Sequence, residues 1–493
     1  MSIRNLVAVM VCGLTMGIVS SCGGNDNLLD TVPADASGVV TINTRELMKS
    51  LNGLGYGGRL TADETLDMFL SHASETTKVQ LKTLVTSDAV DRGFIAGYAV
   101  GVSGTSVVDM MKRGNYVYTF TIADEKKLLD QLGCSSADAV KGYDTYALDG
   151  ATLFIRNRQG WIMAGNPQDN AGLLDEQLQR AANTSVLSLK GVGRYLDEND
   201  DIIRVAVATD LAGDKGWTCA SVEVDDNGRA LDIEGKYIDI NGKEPAMDKY
   251  LEPVDLDLMD YTMPSDVFVM AVGLRPDTDW DGLMQYVQAV QPLDYRQRAM
   301  IGMVVPYLKR IDGTLMIAAG PTLDQRLTKA DFSNDINFIV AVQMKKSEVA
   351  KTMRDFGDML SMLGAPMVKR GEEYVIQVPG MAPVILKTVD GNCIVLTNRP
   401  LQQLGNDAAR KAMKGNGFAL WANIPDSLGE AVYGGYGFNL TAELNKDFEA
   451  KFMFNGQAAP IMEQLALIMS PDNSTDPSSV SDDMGFTPVD TIR

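Results

Sequence analysis

The sequence predicts an α+β protein made of two related tandem halves, each a mostly antiparallel sheet with packed helices. The first observation is a repeated phrase: Thr31-Val32-Pro33-Ala34-Asp35 returns as Thr262-Met263-Pro264-Ser265-Asp266, and each copy opens a similar series of strand-like and helix-like runs. The second is turn chemistry. Asp226-Asn227-Gly228 and Asp390-Gly391 are short, glycine-containing connections of the kind that join antiparallel strands, whereas parallel strands need long crossovers. The third is alternation of apolar and polar residues in Trp217–Val224 and Phe448–Phe454, the pattern of a sheet with one covered and one wetter face. A chain of 493 residues also exceeds what one hydrophobic core serves.

Taken in order, Val39–Asn43 reads as a strand and Thr44–Leu51 as a capped helix; the second copy gives Val267–Val272 and then a helix from Asp281 to Val290. Thr61 and Glu64 form a capping-box pattern ahead of Leu66–Leu70, with a second helix near Thr77–Leu84; Leu283–Val290 and Tyr295–Leu308 look like its counterpart. Tyr116–Phe120 leads into a helix from Asp124 to Leu132, as Phe338–Val342 leads into one from Ser347 to Leu363. Tyr143–Leu148, Thr152–Arg156 and a turn at Gln159-Gly160 into Trp161–Ala164 match Tyr374–Val378, Val384–Thr388 and Asp390-Gly391 into Cys393–Leu396. Asn166-Pro167 and Asn398-Arg399-Pro400 end the two hairpins alike. Each half closes with a helix (Gly172–Ala182; Leu401–Met413), a strand (Ile203–Ala208; Phe418–Ala422) and a hairpin ending at Asn241-Gly242 or Asn455-Gly456. The unit, at roughly two hundred residues, is far longer than a solenoid repeat. The chain divides into a signal peptide over 1–21, a tether over 22–30, a first half over 31–250, a connector over 251–261, a second half over 262–470 and a disordered tail over 471–493.

The leader points to location. Arg4 gives a weak positive start, Leu6 to Ile18 is an apolar run too short to span a bilayer, and Val19-Ser20-Ser21 places small residues before Cys22. This reads as a lipoprotein signal in which Cys22 is acylated and becomes the first mature residue. Several acyl chains hold a protein on a membrane without any spanning helix. By resemblance to the signals of bacterial lipoproteins, Gly23 rather than Asp after the cysteine argues against retention in an inner membrane, so the outer membrane is the expectation, with the leaflet left open.

Composition narrows the function. A formal net charge of −21, from 65 acids against 44 bases, disfavours nucleic acid as a partner. Cys134, Cys219 and Cys393 remain in the body, an odd number, and the last two sit in strand-like apolar runs that suit buried, inert thiols. A single histidine, His72, removes His-rich zinc sites and HExxH hydrolases. The Gly-x-Ser-x-Gly elbow, the phosphate loop, Cys-x-x-Cys and Ser-x-x-Lys are also missing, so no cofactor is implied. Two acids in a groove would suffice for a glycan hydrolase.

The sharpest local pattern is Asp277-Thr278-Asp279-Trp280-Asp281-Gly282, which copies the start of a calcium loop through Asp277, Asp279 and Asp281 but has Gln288 where a bidentate glutamate belongs. A helix cap is the plainer reading. Asp197–Asp201 reads as a solvated loop. Trp161, Trp217 and Trp421 lie in strand-like runs, where core packing is commoner than sugar stacking.

With the Cys22 lipobox, the paired Thr-x-Pro-Ala/Ser-Asp starts and the duplicated body, the mature chain resembles a Bacteroidales family of lipoproteins of unknown function. The resemblance implies an envelope location and no catalytic residues. The resulting expectation is a lipid-anchored envelope protein, attached to the membrane by its N-terminal lipid, with a non-catalytic role in binding, adhesion or assembly. Its partner would be an envelope protein or a glycan, and its oligomeric state is open. The alternatives are a carboxylate-dependent glycan hydrolase at the junction of the halves and a calcium-stabilised module.

Overall fold

The computed structural model describes residues 28–469 except 72, 92–94, 101–114, 135–138, 199–200, 212–213, 245–249, 277, 279, 281–304, 322–335, 363–366, 372, 378–382, 434–435 and 456–458. The earlier strands are β1 (Gly38–Ile42), β2 (Ile95–Val100), β3 (Asn115–Thr121), β4 (Asp144–Leu148), β5 (Ala151–Arg156), β6 (Gln159–Ala164), β7 (Ile203–Leu211), β8 (Asp214–Val224) and β9 (Ala230–Asp239). They lie side by side in the order β4-β5-β6-β3-β2-β1-β7-β8-β9, each neighbour antiparallel. The later ones are β10 (Phe268–Leu274), β11 (Ile311–Pro321), β12 (Ile336–Met344), β13 (Met367–Arg370), β14 (Glu373–Ile376), β15 (Val384–Val389), β16 (Cys393–Thr397), β17 (Phe418–Ile424), β18 (Phe438–Leu444) and β19 (Phe448–Phe454). Their order is β19-β18-β17-β10-β11-β12-β16-β15-β14-β13, again antiparallel throughout. β9 pairs with β19, so the described strands form one 19-stranded sheet. The class is mixed α+β, with an antiparallel sheet.

Helices cover both faces. They are α1 (Thr44–Leu51), α2 (Ala62–Phe69), α3 (Glu75–Thr86), α4 (Glu125–Leu132), α5 (Pro167–Asn183), α6 (Val192–Asp197), α7 (Lys346–Met362), α8 (Asp407–Met413), α9 (Asp426–Tyr433) and α10 (Ile461–Met469). Strand alternation splits the core accordingly. Under β1–β9, one face packs Leu47, Leu66, Leu84 and Leu128 of α1 to α4 against Phe120, Leu153 and Ile155. The other packs Leu29, Leu174, Val186 and Leu196 against Tyr98, Phe154 and Trp161. The later strands do likewise, with Leu258, Met259 and Met413 over Val269 and Val395 on one face, and Val349 and Met353 of α7 with Leu274 and Leu386 on the other.

The repeated phrase has a structural job in both copies. Thr31 Oγ donates to Leu28 O at 2.7 Å, and Thr262 Oγ to Met259 O at 2.6 Å, each closing a 3₁₀ turn (Leu28–Thr31; Leu256–Tyr261) that plugs the core. The aspartates then find arginines. Asp35 pairs with Arg180 at the surface. Asp266 receives both Nη1 and Nη2 of Arg399, with side chains only 0% and 3% exposed, and Arg399 Nη2 also reaches Tyr261 O at 3.2 Å.

Several boundaries differ from the sequence reading. Leu28 and Leu29, expected in the tether over 22–30, are buried in the 3₁₀ turn, because two leucines contribute more by filling the core than by lying in water. Leu256–Tyr261, expected in the connector, packs into the second core, and Leu251 bridges to Leu274. The hairpin turn falls at Asn157-Arg158, whose φ angles are 54° and 64°. Gly160 is in β6, where an added Cβ would lie 2.6 Å from the Phe120 ring, so that glycine makes room for packing. Asn166 caps α5 with Pro167 in its first turn, five residues earlier than Gly172. Asn406 caps α8, so that helix begins at Asp407 rather than Leu401. The capping box of Thr61 and Glu64 forms as read.

The last described helix returns to the first core. Ile461, Met462, Leu465 and Ala466 of α10 pack with Leu47, Leu51 and Leu66. The buried Glu463 carboxylate accepts from Arg59 N (2.9 Å) and Leu60 N (3.2 Å). Its recess exists because Gly53 and Gly58 have no Cβ. A methyl group at Gly58 would strike Glu463 Oε2 and lie 2.6 Å from Pro460 Cδ.

Two predictions follow from these contacts. Asp266→Ala strands a buried guanidinium and is expected to cost about 3–5 kcal/mol, whereas Asp35→Ala, at an exposed pair, costs under about 1 kcal/mol; urea unfolding midpoints compare them. Gly58→Ala overpacks the α10 recess and should lower stability by about 1–3 kcal/mol, read the same way, while Gly57→Ala meets no neighbour within 4 Å and loses only what its left-handed backbone demands.

Candidate functional site

Where β9 meets β19, the two faces of the sheet have opposite character. Leu231 of β9 and Phe452 and Phe454 of β19 point into the core that α10 covers. The alternate residues point the other way. Cross-strand register sets them in two rows: Glu223, Asp232, Lys451 and Thr441, then Ser221, Glu234, Glu449 and Glu443. The first core reaches this face through Cys219 and the second through Ala419, which stands opposite Glu443. A polar valley therefore runs between the two covered regions, floored by β8, β9, β19 and β18.

Its chemistry is acidic. Lys451 Nζ contacts Asp232 Oδ2 at 2.9 Å and Asp225 Oδ2 at 3.8 Å, and Glu443 Oε2 accepts from Asn416 Nδ2 at 2.5 Å. Glu234 and Glu449 stand directly opposite each other and both are exposed. Like charges so placed repel. Exposed acids so arranged suit recognition of a polar or cationic surface.

The other candidates fall elsewhere. Cys22, His72, Asp277, Asp279 and Asp281 lie outside the described residues, so the lipid and calcium expectations have no geometry here. Among the described residues no group of three or more His, Cys, Asp or Glu side chains is placed to hold a metal ion. Cys219 and Cys393 are buried free thiols, and burial pushes them up to about 12 and about 11 respectively. Trp161, Trp217 and Trp280 are buried and Trp421 packs on the second core. Of the stretch 197–201, residues 199 and 200 lie outside the described residues, and its flanking acids are paired rather than simply solvated: Arg204, 7% exposed, donates to Glu198 Oε2 at 2.6 Å, to Asp201 Oδ2 at 2.5 Å and to Tyr195 O at 2.5 Å. Sequence reading missed the valley because Glu234 and Glu449 are far apart in the chain. Their signal was present only as the alternation of the two strands.

Glu449→Lys replaces the repulsion with an attraction and is expected to raise stability by about 0.2–1 kcal/mol. The gain should shrink as salt is raised from roughly 0.05 M to about 0.5 M, because screening shortens the reach of exposed charges, and paired urea melts of both proteins check it.

No family model and no curated protein matches the chain. Among solved structures the chain is similar to crystal form III of TP0453, at 10% identity and a TM-score of 0.29, over 46% of this chain and 84% of that one. It is also similar to crystal form I of TP0453, at 9% identity and a TM-score of 0.27, over 45% and 82%. The likeness is distant and spans about half of this chain. No helix among the described residues is long and apolar enough to cross a membrane.

Proposed function

We propose that this chain is a lipid-anchored protein of the cell envelope, held at the outer membrane through Cys22, with a binding or assembly role rather than a catalytic one. The observation that carries the reading is the leader: an apolar run closed by Val19-Ser20-Ser21-Cys22, only a few residues ahead of Leu28, which is already buried in the folded body. The body then consists of duplicated halves over 31–250 and 262–470, with 251–261 between them. Support for duplication comes from the pairing order: β1 lies between β2 and β7 as β10 lies between β11 and β17, and β3 joins β6 as β12 joins β16. The polar valley between the halves is the contact surface, and its exposed acids suit an envelope protein or glycan bearing cationic or hydroxyl groups.

Intact mass and membrane fractionation test the anchor. The mature protein is expected to begin at Cys22, carry acyl mass and sediment with outer-membrane fractions, while Cys22→Ser retains the leader or loses the lipid and leaves that fraction. A wild-type protein without acyl mass would sink the reading.

A further inference from the structure

The sheet has two ends, and the chain enters β1 at one of them. Gly38, at the start of β1, pairs with Val207, Val207 with Thr218 and Thr218 with Tyr237, so the chain enters the sheet level with Tyr237. Ile240 stands three residues beyond that level, about 10 Å farther along the strand direction. At 68% exposed it is the most exposed of the large apolar side chains among the described residues.

Contacts tie this turn to the anchor side. Val32 O accepts from Val186 N at 2.9 Å, and the 3₁₀ turn Val186–Ser188 leads on to Lys190. Next to it, a Cβ at Gly191 would lie 3.5 Å from Gly242 Cα. Ile240 N donates to Lys215 O at 3.1 Å, and Asp239 N to Lys243 O at 2.8 Å. Lys190, Lys215 and Lys243 are all exposed. Acids lie here too: the exposed Glu244 contacts Lys236 Nζ at 3.4 Å, Asp210 stands opposite Lys215 in the ladder, and Asp239 Oδ1 accepts from Lys243 N at 2.7 Å and Asn241 N at 2.8 Å, which keeps its carboxyl below the usual range. An exposed isoleucine among lysines is thus presented by a chain whose net charge is −21.

From Cys22 to Leu28 the chain can extend at most about 20 Å. An acylated Cys22 therefore keeps the Leu28–Thr31 turn, which lies beside the Val186–Ser188 turn, within that reach of the lipid. We propose that the Ile240 turn, ringed by Lys190, Lys215 and Lys243, rests on the headgroup layer of that same membrane. Ile240 enters the acyl boundary while the lysines reach phosphates, as short amphipathic surfaces do. The strands then carry the Asp226-Asn227 turn, at the opposite end of the β8–β9 hairpin, away from the bilayer. This rests on the lipid-anchor reading.

The test uses the full lipidated chain in phosphatidylethanolamine vesicles containing phosphatidylglycerol. Ile240→Cys and Asn227→Cys, each with Cys134→Ser, are labelled with an environment-sensitive fluorophore, and a lipid carrying a quencher near the headgroup is added. Ile240→Cys is expected to shift to the blue and lose most of its emission, and Asn227→Cys to keep its own. Adding Lys190→Glu, Lys215→Glu and Lys243→Glu should return the Ile240 label to the brightness of the Asn227 label. An acylated protein whose two labels are quenched alike overturns the proposal alone, as does quenching that depends on protein density in the vesicle, which marks contact between copies. A protein whose intact mass lacks acyl chains overturns the anchor reading and this proposal together.

Discussion

Six registered residue pairs between Ala230–Gly235 of β9 and Phe448–Met453 of β19 remove two edges at once. Without them, each run of strands would end in a row of unpaired N–H and C=O groups, a template for pairing with other chains. With them the sheet is continuous, and its alternation is carried through the joint. Leu231 and Phe452 face one side, and Asp232, Glu234, Glu449 and Lys451 face the other. The core under α10 and the polar valley are thus two consequences of one backbone register. A slip of one residue would exchange them, burying the acids and exposing the aromatics.

That register also explains why α10 is where it is. Phe438, Phe452 and Phe454 cluster edge to face and tilted, with ring centroids 5.0 to 5.5 Å apart, on a face that the first four helices do not fully cover. The chain leaves β19 beside them and lays Ile461, Met462 and Leu465 over the gap. Glu463 then fixes the helix to the loop at Arg59-Leu60, and Ile461 N donates to Gly228 O at 2.8 Å. The first core is completed by the last helix described. Such contacts, about four hundred positions apart, form only after a long loop is closed, which places them late in folding on entropic grounds.

The local features were legible in the sequence and the long-range ones were not. Strand period and the Thr61–Glu64 capping box are written within a few residues, so β1, β10 and α2 could be read directly, whereas the equally local Asn166-Pro167 start of α5 reads as a hairpin end until the helix that follows is placed. The α+β class and antiparallel pairing follow from the same signals. The partners of the two repeated aspartates could not be read: Arg180 and Arg399 lie more than a hundred residues from Asp35 and Asp266, and nothing local marks them. The same phrase also meets different surroundings in the two copies, an exposed pair in one and a buried bidentate pair in the other. Leu28 and Leu29 were misread because apolar residues next to a leader look like linker until a core is there to receive them. The acidic valley needs the β9–β19 register, and register between distant strands is set by tertiary packing.

The placement of charge makes one further sense of the joint. Glu234 lies six residues from Ile240 along the same strand direction, about 20 Å, and Glu449 stands directly opposite it. Screening in physiological salt extends about 8 Å, so acids at that distance add little to the field at the Ile240 turn. An acidic protein can then sit on an anionic surface without opposing it, provided that the end in contact carries Lys190, Lys215 and Lys243 and the acids are raised above it. The strands between the two regions act as a spacer between the acidic rows and the end that carries Lys190, Lys215 and Lys243.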